Sequence, residues 1–367
     1  METRKFKGTR DISLLGFGAM RFQQTKIDGK DVIDFNAAVK TIDYAYENGV
    51  NYYDTAYVYH NGESEAFLGK ALKKYPRESY YIADKMPMWE LKTEDDVKRI
   101  FDEQLERLDT PYIDFYLMHS LGRYNFDQAL KFNVYDFLKK MQAEGKIKYI
   151  GFSFHDNVEV FREIVNTYEW DFAQIQLNYL DWETQNAKDL YAILCEKKIS
   201  AIIMEPVRGG ALADLCDNAN KLFTDARPNQ SIASWAIRYA ATFDNVLTVL
   251  SGMSNMEQVV DNINTISNFE PITDSEMSLI EKAADIYRNR NTISCTGCQY
   301  CMPCPANVEI PALFKMYNDY AVKLDPDGFK RAYKAFDESK KTCIKCGACE
   351  ELCPQSIKIR DMLEAFE

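Results

Sequence analysis

Eight times between residues 14 and 250, a short run rich in β-branched and aromatic residues gives way to a longer stretch with apolar positions at helical spacing. No other feature narrows the fold so far, because repeated βα units bury a parallel sheet under helices. The predicted strands lie at 14–18, 50–54, 80–85, 113–119, 147–153, 172–177, 199–204 and 246–250. Predicted helices between them include 31–48, 93–108, 127–143, 185–197, 230–242 and 256–267. Thr93 followed by Glu94, Asp95 and Asp96 reads as a helix opening, with a Thr cap and early carboxylates facing the unpaired N–H groups.

Eight units in about 270 residues suit a closed (β/α)8 TIM barrel. An open doubly wound sheet is the alternative. It would place a G-x-G-x-x-G turn after its first strand, and the local text GFGAMRF lacks that spacing. In a barrel the chemistry belongs at the C-terminal ends of the strands.

The remaining length argues for a second domain. At 367 residues the chain exceeds one barrel. The 56 acidic against 44 basic residues leave a net charge of −12, which disfavours a nucleic-acid partner. The start METRKFKGTR is too polar for a signal peptide and no run approaches 18 apolar residues, so no membrane association is expected and a cytoplasmic location is.

Eight of the ten cysteines fall after residue 290, while Cys195 and Cys216 stand apart as ordinary thiols. One window holds Cys295, Cys298, Cys301 and Cys304; the other holds Cys343, Cys346, Cys349 and Cys353. The second has the ferredoxin spacing C-x2-C-x2-C-x3-C-P, and the first is one residue shorter in its last gap. Three closely spaced thiolates reach three irons of one cubane, and the fourth cysteine of each window goes to the other cluster. Cys295, Cys298, Cys301 and Cys353 are therefore expected to hold one [4Fe-4S] cluster, and Cys343, Cys346, Cys349 and Cys304 a second. Zinc is the rival reading of paired C-x2-C motifs. Helical stretches at 310–320 and 328–336 make this a small, mainly α-helical ferredoxin-like domain, expected at 286–367 after a barrel at 1–285.

Three predicted strands end in groups able to do acid–base work: Asp54, Lys85 and His119, with Tyr59 five residues beyond Asp54. A phenol is a poor acid at neutral pH, but a neighbouring ammonium makes it stronger and a carboxylate holds the ammonium in place. An imidazole donor can stabilise charge growing on a carbonyl oxygen.

These residues resemble the aldo-keto reductases. The likeness rests on D-T-A-x-x-Y at 54–59 with Gly62 and Glu65 downstream, on Lys85 and His119, on G-F-S-F at 151–154 and on Q-I-Q-L-N-Y at 174–179. It covers roughly residues 5–285, and the cysteine windows match the group of that family with a fused 4Fe-4S domain. The resemblance implies a nicotinamide dinucleotide bound without a Rossmann domain. It makes Tyr59 the general acid, Lys85 the group that tunes it, Asp54 the anchor of Lys85, and His119 the group that orients the carbonyl. It places Ser153 and Gln176 on the nicotinamide carboxamide, and Gly18, Ala19 and Met20 beside the ring. Pro206, Arg208 and Gly210 approach the pyrophosphate, and Gly252, Met253, Ser254, Gln258 and Asn262 line the adenosine end.

Gln258 stands where the family commonly has the arginine that clamps a 2′-phosphate, so NAD(H) is favoured over NADP(H). Phe154 follows Ser153 where many members have asparagine. The expected function is NAD(P)(H)-dependent reduction of a small carbonyl or oxidation of an alcohol, with the clusters handling single electrons for a protein partner. The alternatives are a nucleotide-binding redox sensor and an electron-transfer adaptor with little turnover. Trp89, Tyr124 and Trp182 are candidate walls of the substrate pocket.

Overall fold

The computed structural model describes residues 1–7 and 11–366. They form two compact units, Met1–Pro206 with Ala236–Ile272, and Val207–Trp235 with Thr273–Glu367.

The first unit is a closed barrel of eight parallel strands: β1 (Leu15–Gly18), β2 (Tyr52–Asp54), β3 (Tyr81–Pro87), β4 (Ile113–Leu121), β5 (Ile147–Phe154), β6 (Phe172–Gln176), β7 (Ser200–Met204) and β8 (Val246–Ser251). Neighbours in space are neighbours in sequence, with β8 closing on β1. Residues near the strand starts, Tyr52, Tyr81, Phe115, Phe172 and Leu247, fill the interior together with Phe6 and Ile12 from the N-terminal segment. Burial of these large rings is the main stabilising contribution, at about 25 cal/mol per Å² of apolar surface. The strand register then fixes the opposite rim. Asp54 pairs with Ala83, Lys85 with Leu117 and Pro87 with His119, so the three polar residues reach the same end of the barrel.

The helices needed below are α1 (Phe35–Glu47), α2 (Glu63–Leu72) and α3 (Asp95–Leu108). Helix α2 lies so close to α3 that a Cβ on Gly69 would sit 2.5 Å from the Leu108 carbonyl oxygen, which leaves room for glycine alone.

Three expectations change. Residues 31–33 of the predicted helix 31–48 belong instead to an antiparallel hairpin, Gln24–Ile27 with Lys30–Ile33, turned by Asp28 and Gly29, both at positive φ. Helix α1 starts after Asp34, whose side chain accepts the Ala37 N–H. The stretch 127–143 is two helices, Arg123–Lys131 and Val134–Ala143, parted at Asn133 with φ 51°. At the start of α3 the capping acceptor is the Asp96 carboxylate, which takes the Lys92 and Thr93 N–H groups and the Thr93 hydroxyl.

The second unit joins helices Asp217–Ala226 and Asp274–Arg288 to a C-terminal set, Ile310–Ala321, Pro326–Ala335, Ala348–Glu351 and Ile359–Glu364. Val308, Ile310, Leu313, Phe314, Ile359 and Leu363 form its core, with cysteines packed against them. Among the described residues, no helix is long and apolar enough to cross a membrane.

Candidate functional site

Asp54 is the last residue of β2, and the chain then turns so that Tyr59 opens a short 3-10 segment, Tyr59–Gly62. His60, Asn61 and Gly62 all have positive φ, a tight reversal that returns the chain into α2. Lys85 points inward from β3 and is fully buried. Its ammonium donates to Asp54 Oδ1 at 2.6 Å, to the Thr55 carbonyl at 2.7 Å and to the Tyr59 hydroxyl at 3.3 Å. Three donors thus meet three acceptors, the condition under which a buried ammonium is tolerated.

His119 completes the group. Its ring lies edge-on to Tyr59 with centroids 6.0 Å apart, and the Trp89 ring is 5.0 Å away on another side. Burial, then the charge of Lys85, push the His119 pKa well below the usual imidazole value. The ring is therefore neutral at physiological pH and offers an N–H without a cation. Burial pushes the Asp54 carboxyl above the ordinary range, against the pull of Lys85. The geometry places a phenol, an ammonium, a carboxyl and an imidazole together at one end of the barrel. Thr55 was not foreseen, because a backbone carbonyl leaves no mark in sequence.

The residues expected around a nicotinamide dinucleotide are distributed as follows. Ser153 is buried at the end of β5, and its hydroxyl accepts the Ser120 N–H at 2.7 Å. The hydroxyl proton remains available to donate, which fits a carboxamide oxygen. Gln176 is buried and donates to Asp181 at 2.7 Å. Gly18 pairs with Asp54 and the Ala19 N–H reaches the Asp54 carbonyl, with Met20 following. Beyond β8, the Gln258 side chain accepts the Ser254 N–H at 2.8 Å, and Asn262 donates to Ser251 at 2.7 Å. Met253 is buried, and Gly252 lies against Arg21, since a Cβ there would fall 2.9 Å from Arg21 Cδ. Arg21 also pairs with Glu205 at 3.2 Å. This cation one residue past Met20 was missed in sequence, where an arginine alone carries no motif. Pro206 ends the first segment of the barrel unit, whereas Arg208 and Gly210 belong to the second unit. Arg208, Gly209 and Gly210 all have positive φ, and a Cβ on Gly209 would sit 2.2 Å from the Thr296 carbonyl oxygen.

Of the aromatic candidates, Trp89 faces His119. Trp182 stacks on Phe243 at 4.8 Å, a packing role, and Tyr124 is 67% exposed.

In the second unit the two cysteine windows are alike beyond their cysteines. Gly297 N–H donates to Cys295 Sγ at 3.4 Å and Lys345 N–H to Cys343 Sγ at 3.3 Å, each two residues past its window's first cysteine. Positive φ recurs at matching places: Gly297 and Lys345, Gln299 and Gly347, Asn307 and Ser356. Helices then begin at Ile310 and Ile359, each six residues after the last cysteine of its window. The thiols group across the windows. Burial, then Cys298, Cys295 and Cys353, push the Cys301 thiol up to about 12. Cys349 is raised by burial, with Cys343 and Cys304 also acting on it. Cys304, Cys343, Cys346 and Cys349 line one cavity. Two sets of soft thiol ligands, each drawing three from one window and one from the other, fit iron–sulfur clusters and the positive charge of their iron.

The sequence model of the Aldo/keto reductase family matches residues 14–285, and that of a 4Fe-4S dicluster domain matches 294–357. Among curated relatives, L-galactose dehydrogenase of Arabidopsis thaliana is 26% identical, over 74% of this chain and 90% of its own length. An NADH-specific methylglyoxal reductase of Escherichia coli is 25% identical, over 76% and 97%. The holo form of an aldo-keto reductase from Bacillus halodurans superposes with a TM-score of 0.63 at 25% identity, over 77% of this chain and 96% of that one. An aldo/keto reductase from Klebsiella pneumoniae, in complex with NADP and acetate, gives the same TM-score at 18% identity, over 76% and 94%, a likeness of fold.

Proposed function

This chain belongs to the aldo/keto reductase family and carries a 4Fe-4S dicluster domain, and from that membership we propose that it reduces a small carbonyl, or oxidises the matching alcohol, with NAD(H). The observation that carries this reading is the Lys85 ammonium, held by Asp54 and bonded to the Tyr59 hydroxyl. When bound, the nicotinamide ring supplies or accepts the hydride. Tyr59 gives its proton to the carbonyl oxygen as that oxygen gains charge, and Lys85 eases the loss by stabilising the phenolate. Asp54 keeps the ammonium in place. Neutral His119 donates an N–H to the same oxygen and orients it, while Trp89 beside it gives an apolar wall.

Ser153 and Gln176 hold the carboxamide in this reading, beside Gly18, Ala19 and Met20. Pro206, Gly252, Met253, Ser254, Gln258 and Asn262, all in the barrel unit, follow the rest of the dinucleotide. Gln258 spends its side-chain oxygen on Ser254 and brings no charge to a 2′-phosphate, which supports NAD(H). A relative named for NADH specificity accords with this. Gln258→Arg is expected to tighten NADPH binding about tenfold or more relative to NADH, the worth of one charge-assisted hydrogen bond; fluorescence titration of both nucleotides checks it.

Two [4Fe-4S] clusters, on the two cysteine sets, supply one-electron steps. We divide the chain functionally at 285/286, where the reductase match ends, and infer a one-electron carrier protein as partner. Thiol-ligated clusters accord with a reducing compartment such as the cytoplasm. An anaerobic screen of carbonyls with NADH, followed by loss of its absorbance, tests the reading. Tight nucleotide binding with no turnover of any carbonyl or alcohol would reject it in favour of a redox sensor.

A further inference from the structure

Two carboxyl groups stand on the outer side of the strand that carries Lys85. Side chains alternate along β3, so Lys85 enters the barrel and Asp84 turns the other way. Asp84 is fully buried, as is Glu65 of α2, and each carboxyl is among the groups that act on the other. Asp84 Oδ1 accepts the Lys85 N–H at 2.8 Å, and Oδ2 is buried with no hydrogen-bond partner among the described residues. Glu65 Oε2 accepts from Arg107 at 2.9 Å, and Oε1 from Gln104 at 3.2 Å. The same Gln104 amide donates to the Lys85 carbonyl at 2.9 Å, and the Tyr116 hydroxyl donates to the Gln104 oxygen. Both backbone polar groups of Lys85 are thus held by side chains of one buried network.

Two buried carboxyls can bond each other only if one of them keeps a proton, and the unpartnered Asp84 Oδ2 is free to carry it. Two carboxylates this close and this dry would repel strongly, and one shared proton turns the repulsion into a bond. Arg107 decides which keeps it. The guanidinium pairs with Glu65, so the negative charge stays on Glu65 and the proton on Asp84. Burial and the charge of Glu65 both push Asp84 well above the ordinary carboxylate range.

We propose that Asp84 is a positioning residue acting as a neutral carboxylic acid, which accepts the Lys85 N–H with one oxygen and donates its proton to Glu65 with the other. The proposal rests on Lys85 being the group that tunes Tyr59. The ammonium acts on the phenol only as far as its charge is not cancelled. Asp54 already offsets it, and a second carboxylate beside it would favour phenol over phenolate. A protonated Asp84 fixes the strand at Lys85 without that penalty. The groups that act on or are acted on by Asp84 are Glu65 from α2, Lys85 beside it on β3 and Tyr116 from β4, while Gln104 and Arg107 of α3 bond Glu65.

Infrared spectra of the full, cluster-loaded protein at neutral pH test this. The wild type should show the carbonyl band of a buried protonated carboxylic acid, and Asp84→Asn should lack it. In steady-state assays Asp84→Ala should lower kcat about tenfold and displace the alkaline limb of its pH profile. Asp84→Asn, which keeps an acceptor and a donor without charge, should restore most of both. Absence of the acid band from the wild type, or an Asn variant as displaced as the Ala variant, overturns the proposal. The infrared comparison needs no turnover, so it decides the state of Asp84 even if the reductase reading fails or the Ala variant does not fold.

Discussion

Tyr59→Phe should slow carbonyl reduction by about two orders of magnitude or more while leaving NAD(H) affinity almost unchanged. The substitution removes one oxygen, the proposed proton donor, and keeps the ring that packs edge-on to His119. It does not strand the ammonium, because Lys85 retains Asp54 Oδ1 and the Thr55 carbonyl. Neutral His119 cannot take over as the acid, since burial and Lys85 hold its pKa far below neutral. Turnover by the phenylalanine variant equal to wild type would remove Tyr59 from the mechanism. Lys85→Met is expected to behave differently. It leaves the Asp54 carboxyl buried without its cation, which costs about 3–5 kcal/mol, so thermal melting should register the loss together with activity. The contrast separates an acid from its support: the first variant is slow and stable, the second slow and destabilised.

How far the sequence foretold this site follows from where each residue lies. Barrel strands are covered on both faces and read as short continuous apolar runs, so a charged residue at the end of one stands out. Asp54, Lys85 and His119 were legible for that reason, and Tyr59 through its spacing from Asp54. Asp84 was not, because a carboxyl turned to the outer side of the strand, next to a recognised lysine, reads as solvent-facing until its burial beside Glu65 is seen. The hairpin at 24–33 was missed although Asp28-Gly29 is a strong turn pair, since its two short, largely exposed strands carry no apolar alternation. The break at Asn133 was invisible for a related reason: the apolar spacing of the two helices is continuous across it. Membership of Val207–Trp235 in the second unit depends on contacts far apart in the chain, such as Gly209 against Thr296, which no local pattern encodes.

Anaerobically prepared protein should contain about eight irons and eight acid-labile sulfides per chain, and loss of one cysteine should remove half of them. Which half is the sharper test. The neighbours acting on Cys301 are Cys298 and Cys295 from its own window and Cys353 from the other, while Cys349 is surrounded by Cys343 and Cys304. Cys301→Ala and Cys353→Ala should therefore leave the same surviving cluster, with the same electron paramagnetic resonance signal and midpoint potential. Cys349→Ala and Cys304→Ala should leave the other. If each window were self-sufficient, the pairs would instead sort as Cys301 with Cys304 and Cys349 with Cys353. Zinc without sulfide would reject clusters altogether. An exchange of fourth ligands would also tie the windows mechanically, because Cys353 and Cys304 each precede a helix of the shared apolar core by six residues. Loss of either should loosen both helices, read as faster amide exchange across Ile310–Ala321 and Ile359–Glu364 together, since metal–thiolate bonds and folding are coupled in a unit this small.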